Sequence, residues 1–258
     1  MNIIFGDIGN SLTKICLVNY KNLKIKKTFY FKSTEILSQK ILLKNLKKIL
    51  KKKSLYKVAI FSSVVPKYEL LMRKYFKTFY KIKINEIKEM SINNLIRLNV
   101  KKKNQVGSDR IVNAVGALKK YKTNCIILDF GTATTFDVVT KNGLYNGGVI
   151  APGVSLSLKS LISSADQIPT FKLIKQKKVV GKNTLEALRS GFYWGYTGLI
   201  NNIILKIEKE TKKKYKIIFT GGYASLFRTS IIRPFKIDKN ITIKGIIEIF
   251  KANKNYFI

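Results

Sequence analysis

CIILDFGTATTFDVV, residues 125–139, runs an apolar strand into an aspartate, a glycine and a string of small hydroxyls, then into a second strand. NIIFGDIGNSLTKICLV, residues 2–18, writes the same phrase near the start of the chain. Apolar runs joined by Asp-x-Gly read as two strands with a tight turn between them. Asp7 and Asp129 stand 122 positions apart, about half of the 258 residues. One structural sentence is being written twice.

The surroundings repeat as well. Residues 2–31 alternate in three short runs, which predicts three antiparallel strands. A helical pattern follows over STEILSQKILLKNLKKILKKK (33–53), then a buried strand, VAIFSSVVP (58–66). Pro66 suits the first turn of the next helix, PKYELLMRKYFKTFY. KIKINEI (81–87) reads as a strand, and GSDRIVNAVGALKKY as a helix with Ser108 at its N-cap. The pattern then restarts with NCIILDFG, TTFDVVTK and GLYNGGVIAP as three strands, a helix over about 154–164, and a long helical tract over about 184–213. YKIIFTGG is a further strand. The expected organisation is a duplicated α/β fold, mixed sheets flanked by helices, divided into residues 1–120 and 121–258 with a nucleotide cleft between.

Composition excludes several classes. Histidine is absent, which removes Ser-His-Asp and Cys-His catalysis and any histidine metal site. A general base must come from Asp, Glu, Lys, Tyr or Cys. Fifty basic against 14 acidic residues give a net charge of +36. The lysines are spread along the chain among Ile, Asn, Phe and Tyr, with no zinc-finger spacing or RNA-binding aromatic signature, so no specific nucleic-acid partner is expected. No uncharged apolar run is long enough to span a membrane. The opening residues do not read as a secretion signal, so a cytoplasmic protein is expected. Cys16 and Cys125 sit in apolar strands and read as buried, reduced thiols.

The repeated turn suggests phosphate chemistry. Glycine allows close backbone approach, and the amides of a turn can cradle a phosphate. Asn10, Ser11, Thr13, Thr132, Thr134 and Thr135 add hydrogen-bonding groups. Each aspartate can hold a metal ion or its waters, and the metal can bridge to phosphate oxygens. Two such turns would grip one triphosphate from two sides. VVGKNT (179–184) is not a Walker A loop, since it lacks the earlier glycine and a Ser or Thr directly after Lys182. In GSDR (107–110), Arg110 can fork onto a carboxylate, and Asp109 can accept a proton from an attacking hydroxyl. A helix N-terminus favours the ionised form of Asp109, making it a ready but weak base.

DIGNS (7–11), SSVVP (62–66), GSDR (107–110), DFGTATT (129–135), GGVIAPG (147–153), GKNT (181–184) and TGG (220–222) occur in the order seen in type III pantothenate kinases, and the chain resembles that family over nearly its whole length. The resemblance implies two ribonuclease-H-like halves of the actin-like ATPase kind. It implies ATP-dependent phosphorylation of the primary hydroxyl of pantothenate to 4'-phosphopantothenate, the first step of coenzyme A biosynthesis. By position, Asp7, Ile8, Gly9, Asn10, Ser11, Leu12, Thr13, Lys14 and Thr132 would contact ATP. Gly107, Ser108, Asp109 and Arg110 would bind pantothenate, with Asp109 as the base. Asp129 would help hold a monovalent cation, K+ or NH4+. Asp7 would hold Mg2+, directly or through water. Thr184 would reach pantothenate across a homodimer interface. Ser11 stands where the family usually has Thr, Ser108 where it has Ala, and Val100 where it has a substrate-contacting Tyr. Two other readings are a non-catalytic transcriptional accessory protein of the same fold and a kinase for another small hydroxy acid.

Overall fold

The computed structural model describes residues 1–50, 55–165 and 167–257. The final lysines of the first predicted helix (51–53) lie outside the described residues. The chain forms two compact units. Unit 1 comprises residues 1–121, 142–145 and 240–258, and unit 2 comprises residues 122–141 and 146–239.

Unit 1 begins with three strands, β1 (Asn2–Ile8), β2 (Leu12–Asn19) and β3 (Ile25–Lys32), each antiparallel to the one before. Helix α1 (Gln39–Leu50) follows a short 3-10 turn, and strand β4 (Leu55–Ser63) then pairs parallel with β1. Helix α2 (Pro66–Tyr75) opens on Pro66, whose missing N–H costs nothing at that position. Strand β5 (Lys83–Glu86) pairs parallel with β4, giving the order β3-β2-β1-β4-β5. A two-residue strand, β6 (Arg97–Leu98), leads to helix α3 (Ser108–Tyr121).

The strands of unit 1 alternate between two buried faces, as a sheet covered on both sides must. Ile4, Ile8, Ile15, Leu17, Ala59 and Phe61 pack with Leu42 and Leu46 of α1 and Met72 of α2. On the other face, Phe5 meets Phe250 with ring centroids 5.6 Å apart. Phe250 belongs to α6 (Ile241–Ala252), which returns to unit 1 from the far end of the sequence. Helices α3 and α6 approach closely because Gly116 and Gly245 meet at their crossing. A Cβ on Gly245 would collide with the carbonyl oxygen of Val112, and one on Gly116 with that of Ile241.

Unit 2 repeats the plan. Strands β7 (Cys125–Phe130) and β8 (Ala133–Val139) are antiparallel. β9 (Leu144–Pro152) neighbours β8; its first two residues, Leu144 and Tyr145, belong to unit 1 and pair there with β6. Helices α4 (Val154–Ser163) and α5 (Thr184–Thr211) precede β10 (Lys216–Gly221), which is parallel to both β7 and β11 (Phe235–Ile237). The order β9-β8-β7-β10-β11 is that of unit 1 strand for strand. The duplicated mixed α/β fold expected from the repeated turn is therefore present. Cys16 and Cys125 are free and buried, and burial pushes the Cys125 thiol up to about 12.

Candidate functional site

Asp7 is the seventh residue of the chain and the last but one of β1. Its register partners are Lys14 on β2 and Ser62 on β4, so all three side chains leave the same face of the sheet. That face carries α3 and α6, and the polar residues collect at the carboxyl ends of the parallel strands. Ligand sites of open α/β sheets form at that end. The turn after Asp7 is tight: Gly9 N–H donates to Leu12 O at 3.2 Å. Asn10, Ser11 and Leu12 are exposed on it. Ile8 and Thr13 are fully buried, and the Thr13 hydroxyl shares a 2.9 Å hydrogen bond with Ser33. Those two side chains therefore support the turn from beneath.

Lys14 is a buried cation, 7% exposed. Its Nζ donates to Asn240 Oδ1 at 2.8 Å and lies 5.6 Å from the centre of the Tyr30 ring. Asn240 precedes the first turn of α6, so a residue from the far end of the sequence holds a lysine of the first turn motif.

The Gly107–Arg110 segment enters the same end of unit 1. Val64, in the loop after β4, donates its N–H to Ile8 O at 3.2 Å. The Val64 side chain also lines Gly107, where a Cβ would stand 3.6 Å from Val64 Cγ1 and 2.5 Å from Asp109 Oδ1. One loop thus touches both the end of β1 and the turn that carries Asp109. The Asp109 carboxylate folds back over Gly107, so a side chain there would have to displace it.

The cap of α3 differs from the sequence expectation. Gly107, not Ser108, occupies the N-cap position, since its carbonyl accepts Ile111 N–H at 3.2 Å. Ser108 begins the helix with its side chain buried. Asp109 accepts its neighbour's N–H, Arg110 N to Asp109 Oδ1, at 2.8 Å. The expected lowering of the Asp109 pKa does not win. Burial raises it, against the opposing effects of the Arg110 N–H, the Arg110 charge and more distant Lys88. A carboxylate raised toward neutrality is a stronger base than an ordinary aspartate.

Arg110 lies with its guanidinium carbon 5.9 Å from the centre of the Tyr145 ring. Tyr145 is fully buried in the first part of β9, which hydrogen-bonds to the loop before α3 through Asn99 N–H and Tyr145 O at 2.9 Å. This ring stands beside Arg110, and sequence reasoning did not single it out. Its only signal is an aromatic just before Gly147-Gly148 in a strand. Glu86 and Asn240 were also missed.

In unit 2, Asp129 has the same station as Asp7. Its register partners are Thr135 on the antiparallel strand and Thr220 on the parallel one. Gly131 and Gly221 flank its carboxylate: a Cβ on Gly221 would lie 2.6 Å from Asp129 Oδ1 and one on Gly131 3.8 Å away. Gly221 has φ +85°, a conformation suited to glycine. Thr132 is exposed on the turn, and its carbonyl is pressed against Gly153, the N-cap of α4. A carboxylate in a two-glycine cradle near a helix N-terminus has the donor and the room that a cation with phosphate requires. No group of three or more Cys, Asp or Glu side chains forms a metal cage among the described residues. A cation at Asp129 would have one carboxylate from the chain and would take its other oxygens from phosphate and water.

Thr184 is exposed at the first position of α5, behind Asn183, whose side chain accepts Glu186 N–H at 2.9 Å. It lines an apolar groove of about 600 Å3 between α4 and α5, with Pro152, Leu161, Leu188, Phe192 and Leu199. The two helices are tied beneath it by a 2.8 Å hydrogen bond between Ser157 Oγ and the Tyr196 hydroxyl. Gly191, Gly195 and Gly198 have open space where a side chain would stand.

Comparison with known proteins decides the family. The family model described as type III pantothenate kinase matches residues 3–206. The chain belongs to the type III pantothenate kinase family. A type III pantothenate kinase of Pelagibacter ubique is 52% identical over 246 residues, covering 95% of this chain and 97% of that one. One from Phenylobacterium zucineum is 38% identical over 76% of each chain. Among solved structures, one described as a Baf family transcriptional activator from Campylobacter jejuni superposes with TM-score 0.60 at 19% identity, covering 98% of this chain and 99% of that one. An inorganic polyphosphate/ATP-glucomannokinase from an Arthrobacter strain superposes with TM-score 0.52 at 11% identity, over 97% and 99%. At those identities the structures show the fold alone. Among the described residues, no helix is long and apolar enough to cross a membrane.

Proposed function

We propose that this pantothenate kinase works by positioning its two substrates and drawing a single proton, with Asp109 as the base and Arg110 as the acceptor's anchor. The observation that carries the reading is the meeting, within unit 1, of the Asp109–Arg110 turn with the carboxyl ends of β1 and β4, beside Asp7 and Lys14. The Arg110 guanidinium forks onto the pantothenate carboxylate. The Gly107 and Ser108 backbone seats the substrate, and the Asp109 carboxylate faces its primary hydroxyl. The hydroxyl oxygen bonds to the γ-phosphorus of ATP, its proton passes to Asp109, and ADP leaves. A modest base suffices when phosphoryl transfer is loose and little charge builds on the nucleophile.

The segment from Asp7 to Lys14 contacts ATP, as does Thr132. Lys14 supplies the one cation of that segment. Mg2+, when bound, neutralises charge on the phosphates, and Asp7 holds it through water. The Asp129 cradle takes K+ or NH4+. The open glycine stripe of α5 and its apolar groove suit a second copy of the chain, and in that homodimer Thr184 reaches the partner's pantothenate.

A coupled assay of ADP release tests this, run with and without pantothenate and with K+ or Na+. Pantothenate should start ADP release, and K+ should raise it. If pantothenate fails to stimulate release while another small hydroxy acid succeeds, the substrate assignment falls.

A further inference from the structure

Glu86 ends β5 in a buried position, 6% exposed, and it has no part in the chemistry described above. A buried carboxylate is costly unless several donors satisfy it. Here the donors come from separate pieces of chain. Ser63 N–H, at the end of β4, donates to Oε1 at 3.3 Å. Lys88 N–H donates to Oε2 at 2.6 Å. The buried Ser108 hydroxyl lies near enough to favour the charged form of the same carboxylate, yet it closes no hydrogen bond of ordinary geometry with it or with any other group. Glu86 N–H in turn donates to Glu89 Oε2 at 3.1 Å, and Arg73 holds Glu89 and Glu69 at 2.7 and 2.8 Å. The carboxylate therefore stands where three segments meet: the loop after β4, the turn after β5, and the first turn of α3.

We infer that Glu86 is a positioning residue, which sets the acceptor site by clamping Ser108 and the loop after β4 so that Asp109 and Arg110 face the substrate. The inference rests on the reading of Asp109 and Arg110 given above. Its geometry is specific. Ser108 precedes Asp109, and Val64, next to the clamped Ser63, packs against Gly107 beneath the Asp109 carboxylate. Release of the clamp lets the turn shift, and small displacements of a reacting pair are expensive in rate. The nucleotide-binding turn after β1 shares the Val64–Ile8 bond with that loop but is also closed by its own Gly9–Leu12 and Thr13–Ser33 bonds, so it should feel the change less than the acceptor site does.

The test is steady-state kinetics on Glu86→Gln, Ser108→Ala, the double variant and Asp109→Asn. Glu86→Gln keeps the shape and one acceptor oxygen, and Ser108→Ala removes only a hydroxyl, so both variants should remain folded. Each should raise the pantothenate KM and lower kcat by about 3- to 10-fold, with the ATP KM within about twofold. The double variant should be no worse than Glu86→Gln, because both changes release one clamp. Parental pantothenate kinetics in both single variants would overturn the inference. So would a fall in kcat with both KM values held, which is what fewer folded molecules would give, or effects that multiply in the double variant. If Asp109→Asn keeps parental turnover, the reading of the site fails. If Asp109→Asn is inactive while the Glu86 and Ser108 variants are parental, only the clamp fails.

Discussion

Lys14 and Asn240 meet at 2.8 Å although 226 positions separate them, and the contact ties the first turn motif to the start of α6. A buried lysine that is to meet a phosphate must be aimed, because its four-carbon stem is flexible. Asn240→Ala should therefore raise the ATP KM about 10-fold, the value of a hydrogen bond to a charged group, and leave the pantothenate KM alone. Lys14→Met should do at least as much. An unchanged ATP KM in Asn240→Ala would mean that Asn240 does not aim Lys14.

Asp109→Asn should cut turnover by about 10²–10⁴-fold while ATP still binds, as measured by calorimetry. The acid limb of the kcat/KM profile should also lie above the ordinary aspartate range. Burial favours the protonated form of Asp109, so lowering the pH through that raised pKa adds the proton and removes the base. Raising the pH restores activity. A limb at or below the usual carboxylate value would contradict the environment of Asp109.

Gly221→Ala places a methyl group 2.6 Å from Asp129 Oδ1 at a residue with φ +85°. Strain and displacement together should cost about 1–3 kcal/mol of stability, read from urea unfolding. Activation by K+ should weaken as well, since the displaced group is the carboxylate proposed to hold the ion. Retained activation would move the cation site elsewhere.

Gly245→Ala tests the α3–α6 crossing. Alanine favours a helix by about 1 kcal/mol over glycine, yet its Cβ would drive into the Val112 carbonyl. The clash should win, with a net loss of about 2–3 kcal/mol in urea unfolding. A gain in stability would show that the two helices can separate at little cost.

Gly195→Leu fills the open stripe of α5 without touching the Asp109 turn. Light scattering during gel filtration should show dimer in the parent and a shift toward monomer in the variant. A dimer that tolerates the leucine would place the contact between copies on another face.

The two sets of strands were readable because strands buried on both faces write long apolar runs, and because Asp-x-Gly punctuates them at matching places. Pro66 at the head of α2 follows from a local rule. The failures share a cause. Residue type suggests a Ser108 cap, but Gly107 takes that position and the Ser108 hydroxyl is buried near Glu86 instead, which no local pattern reveals. A helix-dipole argument favoured a low Asp109 pKa, whereas the packing around it decides the direction. Glu86 sits in KIKINEI, where a lone glutamate resembles a solvated charge, and only the folded chain shows it to be buried. Asn240 lies far along the chain from Lys14, so their contact was invisible to any local window.

The return of α6 has a consequence for synthesis. Phe5 and its face of the first sheet are complete within the earliest residues, but their Phe250 cover is made last. At ordinary elongation rates the nascent chain waits roughly ten to thirty seconds for α6, with that apolar face covered only by α3 while the intervening residues emerge from the ribosome. Chaperones that guard unfinished polypeptides have their natural target there, and a premature stop that spares every residue of unit 2 would still leave unit 1 unroofed.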